Sequence, residues 1–228
     1  MKYFIIILSL LLLTGCARTV LSGDDILNLE FKIFTKGPIN TNNTIYLLVL
    51  APSSSIIDDE ATRDDYFIFP GKNFNDATLA NLANKTINYY YTHYFQNWLQ
   101  FLYMTNNSIE LTQATSNSFD SSISTINDHQ SIEPSLGFEG IQSISSNTLT
   151  ITVDIAQLGY EETDTVYFSI LTFEKDTSSE AGILKDFLTN DSSHFIDLTL
   201  GQINSGYHSE NTSLDTYYDI VQWQYRVY

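Results

Sequence analysis

Five carboxylates crowd one short stretch of the chain: Asp58, Asp59, Glu60, Asp64 and Asp65. Hard oxygen ligands at that density could hold calcium. The stretch lacks the D-x-[DN]-x-[DN]-G order of an EF-hand loop. Calcium on Asp58, Asp59, Asp64 and Asp65 is therefore a secondary reading beside a solvated acidic loop. His93, His129, His194 and His208 stand far apart, with no HxH or HxxxH spacing. They would serve a metal only if the fold gathered them. Two carboxylates could hydrolyse a glycosidic bond, but among 27 acidic residues nothing singles out a pair. There is no G-x-S-x-G elbow and no phosphate-binding glycine loop. The expected protein is not an enzyme and needs no cofactor; a glycoside hydrolase is the third choice.

The other chemical signal is aromatic. INYYYTHYFQNWLQFLYM, from Ile87 to Met104, is the densest such stretch. A helix is one reading of it, but three consecutive tyrosines and little Ala or Glu favour two strands around Gln96-Asn97. A two-layer sandwich buries one face of each sheet, so some of these rings should meet solvent. Trp98, with Tyr90 or Tyr94, is the candidate platform for stacking on a sugar, which suits a flat apolar ring with a polar edge.

Positioning elements follow from pattern. Charged residues are 16% and aromatics 14% of 228 residues. Abundant Asn, Ser, Thr and Tyr disfavours helices. Leu27, Leu29, Phe31 and Ile33 alternate with Asn28, Glu30, Lys32 and Phe34, which predicts a half-buried strand. Ile45 to Ala51 is apolar throughout, a central strand covered on both faces, and the two are expected to form a hairpin. Tyr66 to Phe69 and Ile109 to Leu111 read as short strands. Asp76 to Lys85 is the best helix candidate, with Asp76 as its cap. Thr115 to Gly140 is either a surface excursion or a set of short edge strands. Leu149, Ile151, Val153 and Ile155 alternate with Thr148, Thr150, Thr152 and Asp154. Thr165 to Phe173, Phe195 to Leu200 and Tyr217 to Tyr228 complete the strands, with a helical turn or two expected in Thr177 to Asn190. The sum is all-β: a single antiparallel β-sandwich with one or two short helices. A net charge of -17 argues against nucleic acid, which asks for a basic patch.

Two resemblances place the chain. Lys2, the apolar run Phe4 to Leu13, and then Leu13-Thr14-Gly15-Cys16 resemble a bacterial lipobox. The run spans roughly 15 Å as a helix, too short for a bilayer. The resemblance implies a signal peptide over 1–15, a lipid on Cys16, a tether over 16–25 and a folded domain over 26–228. Cys16 is the single cysteine, so no disulfide or thiolate chemistry is expected once it is lipidated. Alanine rather than aspartate follows it. That implies the outer membrane of a Gram-negative cell, or the outer leaflet of the plasma membrane in a Gram-positive one.

The second resemblance lies in NTLTITVDIAQLGYEETDTVYFSILTFEKD. A strand ending in I-x-x-L-G (Ile155, Leu158, Gly159), followed by D-x-V-x-F-x-I (Asp164, Val166, Phe168, Ile170), resembles DOMON-like sandwiches and family-nine-type carbohydrate-binding modules. The ending DIVQWQYRVY and the opening LEFKIFTKGPINTNNTIYLLVLAP are similar to the same group. A DOMON-like fold would sit beside the immunoglobulin-like one as alternatives. The haem-binding members need axial ligands, and Met104 is not flagged as one. The expected function is a lipid-anchored binding module for carbohydrate or envelope polymer. The alternative is a structural or assembly lipoprotein that binds envelope proteins through its sheet edges.

Overall fold

Leu29, Phe31 and Ile33 are buried while their neighbours in β1 (Asn28–Thr35) are not. That alternation is what one packed face and one wet face require. β2 (Thr44–Ala51) is buried at every position. The computed structural model describes residues 26–58, 61–73, 86–106, 108–114, 118–176 and 181–228. The remaining strands there are β3 (Tyr66–Ile68), β4 (Gln100–Thr105), β5 (Ser108–Gln113), β6 (Ile141–Ser145), β7 (Thr148–Asp154), β8 (Thr165–Lys175), β9 (Ala181–Phe187), β10 (Phe195–Asp197), β11 (Ile203–Tyr207) and β12 (Ile220–Val227).

They form two antiparallel sheets. One runs β11-β12-β1-β7-β6, the other β3-β9-β8-β2-β4-β5 with β10 also on β8. The all-β sandwich is as expected. The hairpin is not: β1 pairs with β12 and β7, whereas β2 pairs with β4 and β8. The intervening turn carries the chain from one sheet to the other. The reason is in the burial. A strand apolar on both sides cannot share a sheet whose outer face is solvated.

The first core fills the space between the sheets. Phe31 and Phe168 meet edge to face across it, centroids 5.0 Å apart, and Trp223 from β12 meets Phe168 edge to face as well, at 4.9 Å. Gly206 in β11 has to be glycine, because a Cβ there would lie 2.6 Å from the Trp223 indole. The I-x-x-L-G segment is a 3₁₀ turn, Ile155–Leu158, closed by Gly159 in the left-handed conformation at φ 78. Glycine reaches that region without a Cβ clash.

The second core lies on the far side of the seven-stranded sheet, and it corrects the reading of the aromatic stretch. Ile87–Tyr90 is a helix, α1, that continues as a π-helical turn over Tyr91–Phe95; only Gln100–Thr105 is a strand. The Thr86 hydroxyl accepts from Tyr89 N and caps α1. Ile87, Tyr90, Tyr91, Tyr94 and Phe95 fall on one helical face, Trp98 follows just past the turn, and all six are buried. They cover Leu47, Val49, Phe101 and Phe173.

Two more expectations change. Ala181–Phe187 is β9, not a helical turn, and pairs with β8. A short helix, α2 (Ile126–Gln130), stands in the polar excursion, opened by a Thr125–Asp128 capping box. The helix expected over Asp76 to Lys85 lies outside the described residues.

Candidate binding face

With its second face under α1, the π turn and the loops around them, the seven-stranded sheet is covered twice. The outer face of the five-stranded sheet meets solvent. Register assembles that face rung by rung. Tyr207, Gln222, Phe34, Thr148 and Ser145 form one rung; Ser205, Gln224, Lys32, Thr150 and Ser143 the next; Ile203, Arg226, Glu30, Thr152 and Ile141 the third. Tyr207 is 83% exposed, and Phe34 is half-buried. They stand two strands apart, roughly 10 Å, which is about the reach of two sugar rings in an extended glycan.

The three rungs hold three charges, one carboxylate gripped between two cations. Arg226 grips Glu30 with two bonds of 3.0 Å, and Lys32 Nζ adds a third contact at 3.1 Å. Burial alone would raise the Glu30 pKa, but the hydrogen bonds from Lys32 and Arg226 outweigh it and hold the carboxyl below its usual range. In a chain of net charge -17, these rungs present hydroxyls, amides, the rings of Tyr207 and Phe34, and one cation more than anions.

The sites expected from sequence lie elsewhere. Trp98, Tyr90 and Tyr94 are 1%, 6% and 3% exposed. Trp98 Nε1 donates to Ile56 O at 3.0 Å, Tyr90 OH to Tyr66 O at 2.9 Å and Tyr94 OH to Asp65 Oδ2 at 3.3 Å. Burial pushes the Tyr90 phenol well up. These rings hold α1 to the sheet, and their faces are not open for stacking. The acidic loop also disperses. Asp64 turns to Lys185 at 2.9 Å. Asp65 accepts from Thr62 N and from Tyr94. Asp58 is half-buried. Asp59 and Cys16 lie outside the described residues. Among the described residues no three His, Cys, Asp or Glu side chains converge as a metal site would need.

A second polar region closes the end of the sandwich beside β9. Asp186 is fully buried, accepting from Arg63 Nη2 and from Ile220 N, both at 2.9 Å. Asp219, also buried, accepts from Asn211 N at 2.9 Å. Burial raises its pKa, the nearby Asp186 adds to the rise, and the Asn211 bond opposes it. Above them a cleft of about 330 Å³ is lined by Arg63, Asp64, Glu174, Lys185, Tyr217 and Tyr218. Lys185 bridges Asp64 and Glu174 at 2.9 Å each, Arg63 turns down to Asp186, and Asp215 on the rim accepts from Tyr217 OH at 3.0 Å.

Of the four histidines, His129 is the most constrained. Nε2 lies 2.8 Å from Lys72 O, which can only accept, so this nitrogen carries the proton. Nδ1 is then the acceptor for Tyr91 OH at 2.9 Å. The neutral ring is satisfied at both nitrogens, and burial lowers its pKa. An unfolded chain takes up the proton near pH 6.5 while the folded one does not, so stability falls as pH drops below that value. His129→Gln should flatten the fall in urea-unfolding free energy between pH 7 and pH 5. An unchanged slope would remove His129 as its source.

No family model matches this chain, and neither does any curated protein or solved structure. The DOMON-like resemblance therefore stands on the residues that carry it.

Proposed function

We propose that this chain is a non-catalytic binding module of the bacterial cell envelope, lipid-anchored through Cys16, and that its ligand is a neutral carbohydrate or envelope polymer. The observation that carries the reading is the solvated face of the five-stranded sheet. Its serines, threonines and glutamines can donate and accept around a polyol, and Tyr207 offers an exposed ring for a sugar face. The ligand sits on this face rather than on the Tyr90–Trp98 segment. The test is a screen of glycans and envelope polymers against the purified protein, followed by titration of any hit. Tyr207→Ala should weaken binding about tenfold, the loss of one stacked ring. Raising salt should leave affinity nearly unchanged, because no charge pair is screened. Full affinity in folded Tyr207→Ala protein would sink the assignment.

A second reading has its own observation. β6 and β11 are edge strands that carry exposed Ile141, Ile144 and Ile203. Exposed edges with apolar side chains are where another chain can add a strand. That supports an assembly role with envelope proteins. It is favoured if the screen yields no polymer and crosslinks from β6 or β11 capture a protein.

A further inference from the structure

Among the described residues, four of the eight exposed large apolar side chains share one corner of the molecule. Ile26, Leu200, Ile203 and Tyr228 are between 45% and 65% exposed. Asn28 and Tyr228 exchange main-chain bonds of 2.8 and 3.0 Å, and Asn28 Nδ2 donates to Ile26 O at 3.1 Å. Gly201 N donates to Val227 O at 2.9 Å, which fixes the Leu200 turn beside the end of β12. Ile203 stands opposite Arg226, whose guanidinium lies 4.6 Å over the Tyr228 ring. The start of β1, the end of β12 and the start of β11 thus share one corner.

The same corner is where the chain arrives from Cys16. Nine residues, 17–25, separate Cys16 from Ile26, and even fully extended the link spans at most roughly 35 Å. We infer that the Ile26–Leu200–Ile203–Tyr228 corner is a membrane seat, resting in the interfacial layer of the bilayer to which Cys16 is tied; the inference rests on lipidation of that cysteine. Tyrosine and arginine suit this layer, each with an apolar body and a polar tip. A strand-adding protein fits less well. Asn204 Oδ1 already takes the Ser205 N–H of β11 at 2.8 Å, which blunts the strand as a template. Charge then selects the lipid. Asp154, Glu161, Glu162 and Asp164 lie at this end of the sandwich, around the 3₁₀ turn that follows β7, and Arg226 is held by Glu30. The seat therefore favours zwitterionic over anionic headgroups. Seated this way, β11 points Tyr207 away from the membrane, towards a polymer outside.

The test uses the full lipidated protein in phosphatidylcholine vesicles. Cys16 is blocked by lipid, so Leu200→Cys and Asn42→Cys each take one environment-sensitive label; Asn42 is exposed at the opposite end. Flotation reports the anchor, and quenching by acrylamide reports the seat. The Leu200 label should be quenched about threefold less than the Asn42 label, with protection falling when phosphatidylglycerol is added. Protein that floats with both labels equally quenched overturns the seat and leaves the anchor standing. Protein that does not float overturns both. Protection that follows protein density on the vesicle rather than lipid would assign the corner to a second copy of the chain and overturn the seat. Polymer binding through Tyr207 is measured separately, and its failure leaves each of these outcomes readable.

Discussion

Trp98→Ala should lower the free energy of unfolding by about 3–5 kcal/mol, the cost of emptying a large aromatic site in a packed core. The indole is 1% exposed. It meets Phe95 and Phe101 edge to face at 5.0 and 5.8 Å. Its Nε1 also satisfies Ile56 O, which would lose that donor. Domains of this kind are stable by about 5–15 kcal/mol in total, so the variant should shift the urea midpoint strongly. Gln96→Ala, on an exposed residue two positions away, should change it by less than about 0.5 kcal/mol. Polymer binding per folded molecule should be unaffected by Trp98→Ala, because the ring lies across the seven-stranded sheet from Tyr207. A loss under about 1 kcal/mol would remove Trp98 from the core.

The misreading around Trp98 shows where sequence pattern runs short. β1 and β7 were legible because each buries one face, and Leu29, Phe31 and Ile33 or Leu149, Ile151 and Val153 then recur at period two. The double burial of β2 was legible from its unbroken apolar run. Which sheet it joins was not, since that depends on pairing with β4 and β8, far along the chain. Tyr89-Tyr90-Tyr91 reads as strand by propensity, yet propensity in tyrosine-rich segments yields to packing. The signal that was available is the spacing Ile87, Tyr90, Tyr91, Tyr94, Phe95, Trp98, a 3.6-residue stripe.

The binding face was half visible. Alternation alone puts Lys32 and Phe34 on β1, and Thr148, Thr150 and Thr152 on β7, on the outer side of their strands. Joining them into one surface needed β12 between β1 and β11. β11 itself, with exposed Ile203 and Tyr207, has too little apolar content to show as a strand. Tyr207 could have been found only from the alternation Ile203, Ser205, Tyr207, with Gly206 beneath Trp223 on the inner side.

That inner and outer division gives the sharpest contrast within one strand. Val153→Asp should destabilise the protein by about 4 kcal/mol at neutral pH, whereas Thr152→Asp should cost about 1 kcal/mol or less. Val153 is buried and lies in register with Leu29. A carboxylate there would have no partner, and burying it ionised is so costly that it would stay protonated instead. Thr152 faces outwards opposite Glu30, so its small cost is like-charge repulsion across the rung, softened by Arg226 on Glu30. The pH dependence separates the two mechanisms. In the Val153 variant the new carboxyl has a folded pKa above its unfolded value of about 3.9. Its stability is greatest below that value and declines as pH rises through the window between the two. The gap to wild type should therefore narrow between pH 7 and pH 4 in urea titrations. Thr152→Asp should show little such narrowing. Equal tolerance of aspartate at the two positions would mean that β7 does not divide core from solvent. The binding face assembled on its outer side would then lose its foundation.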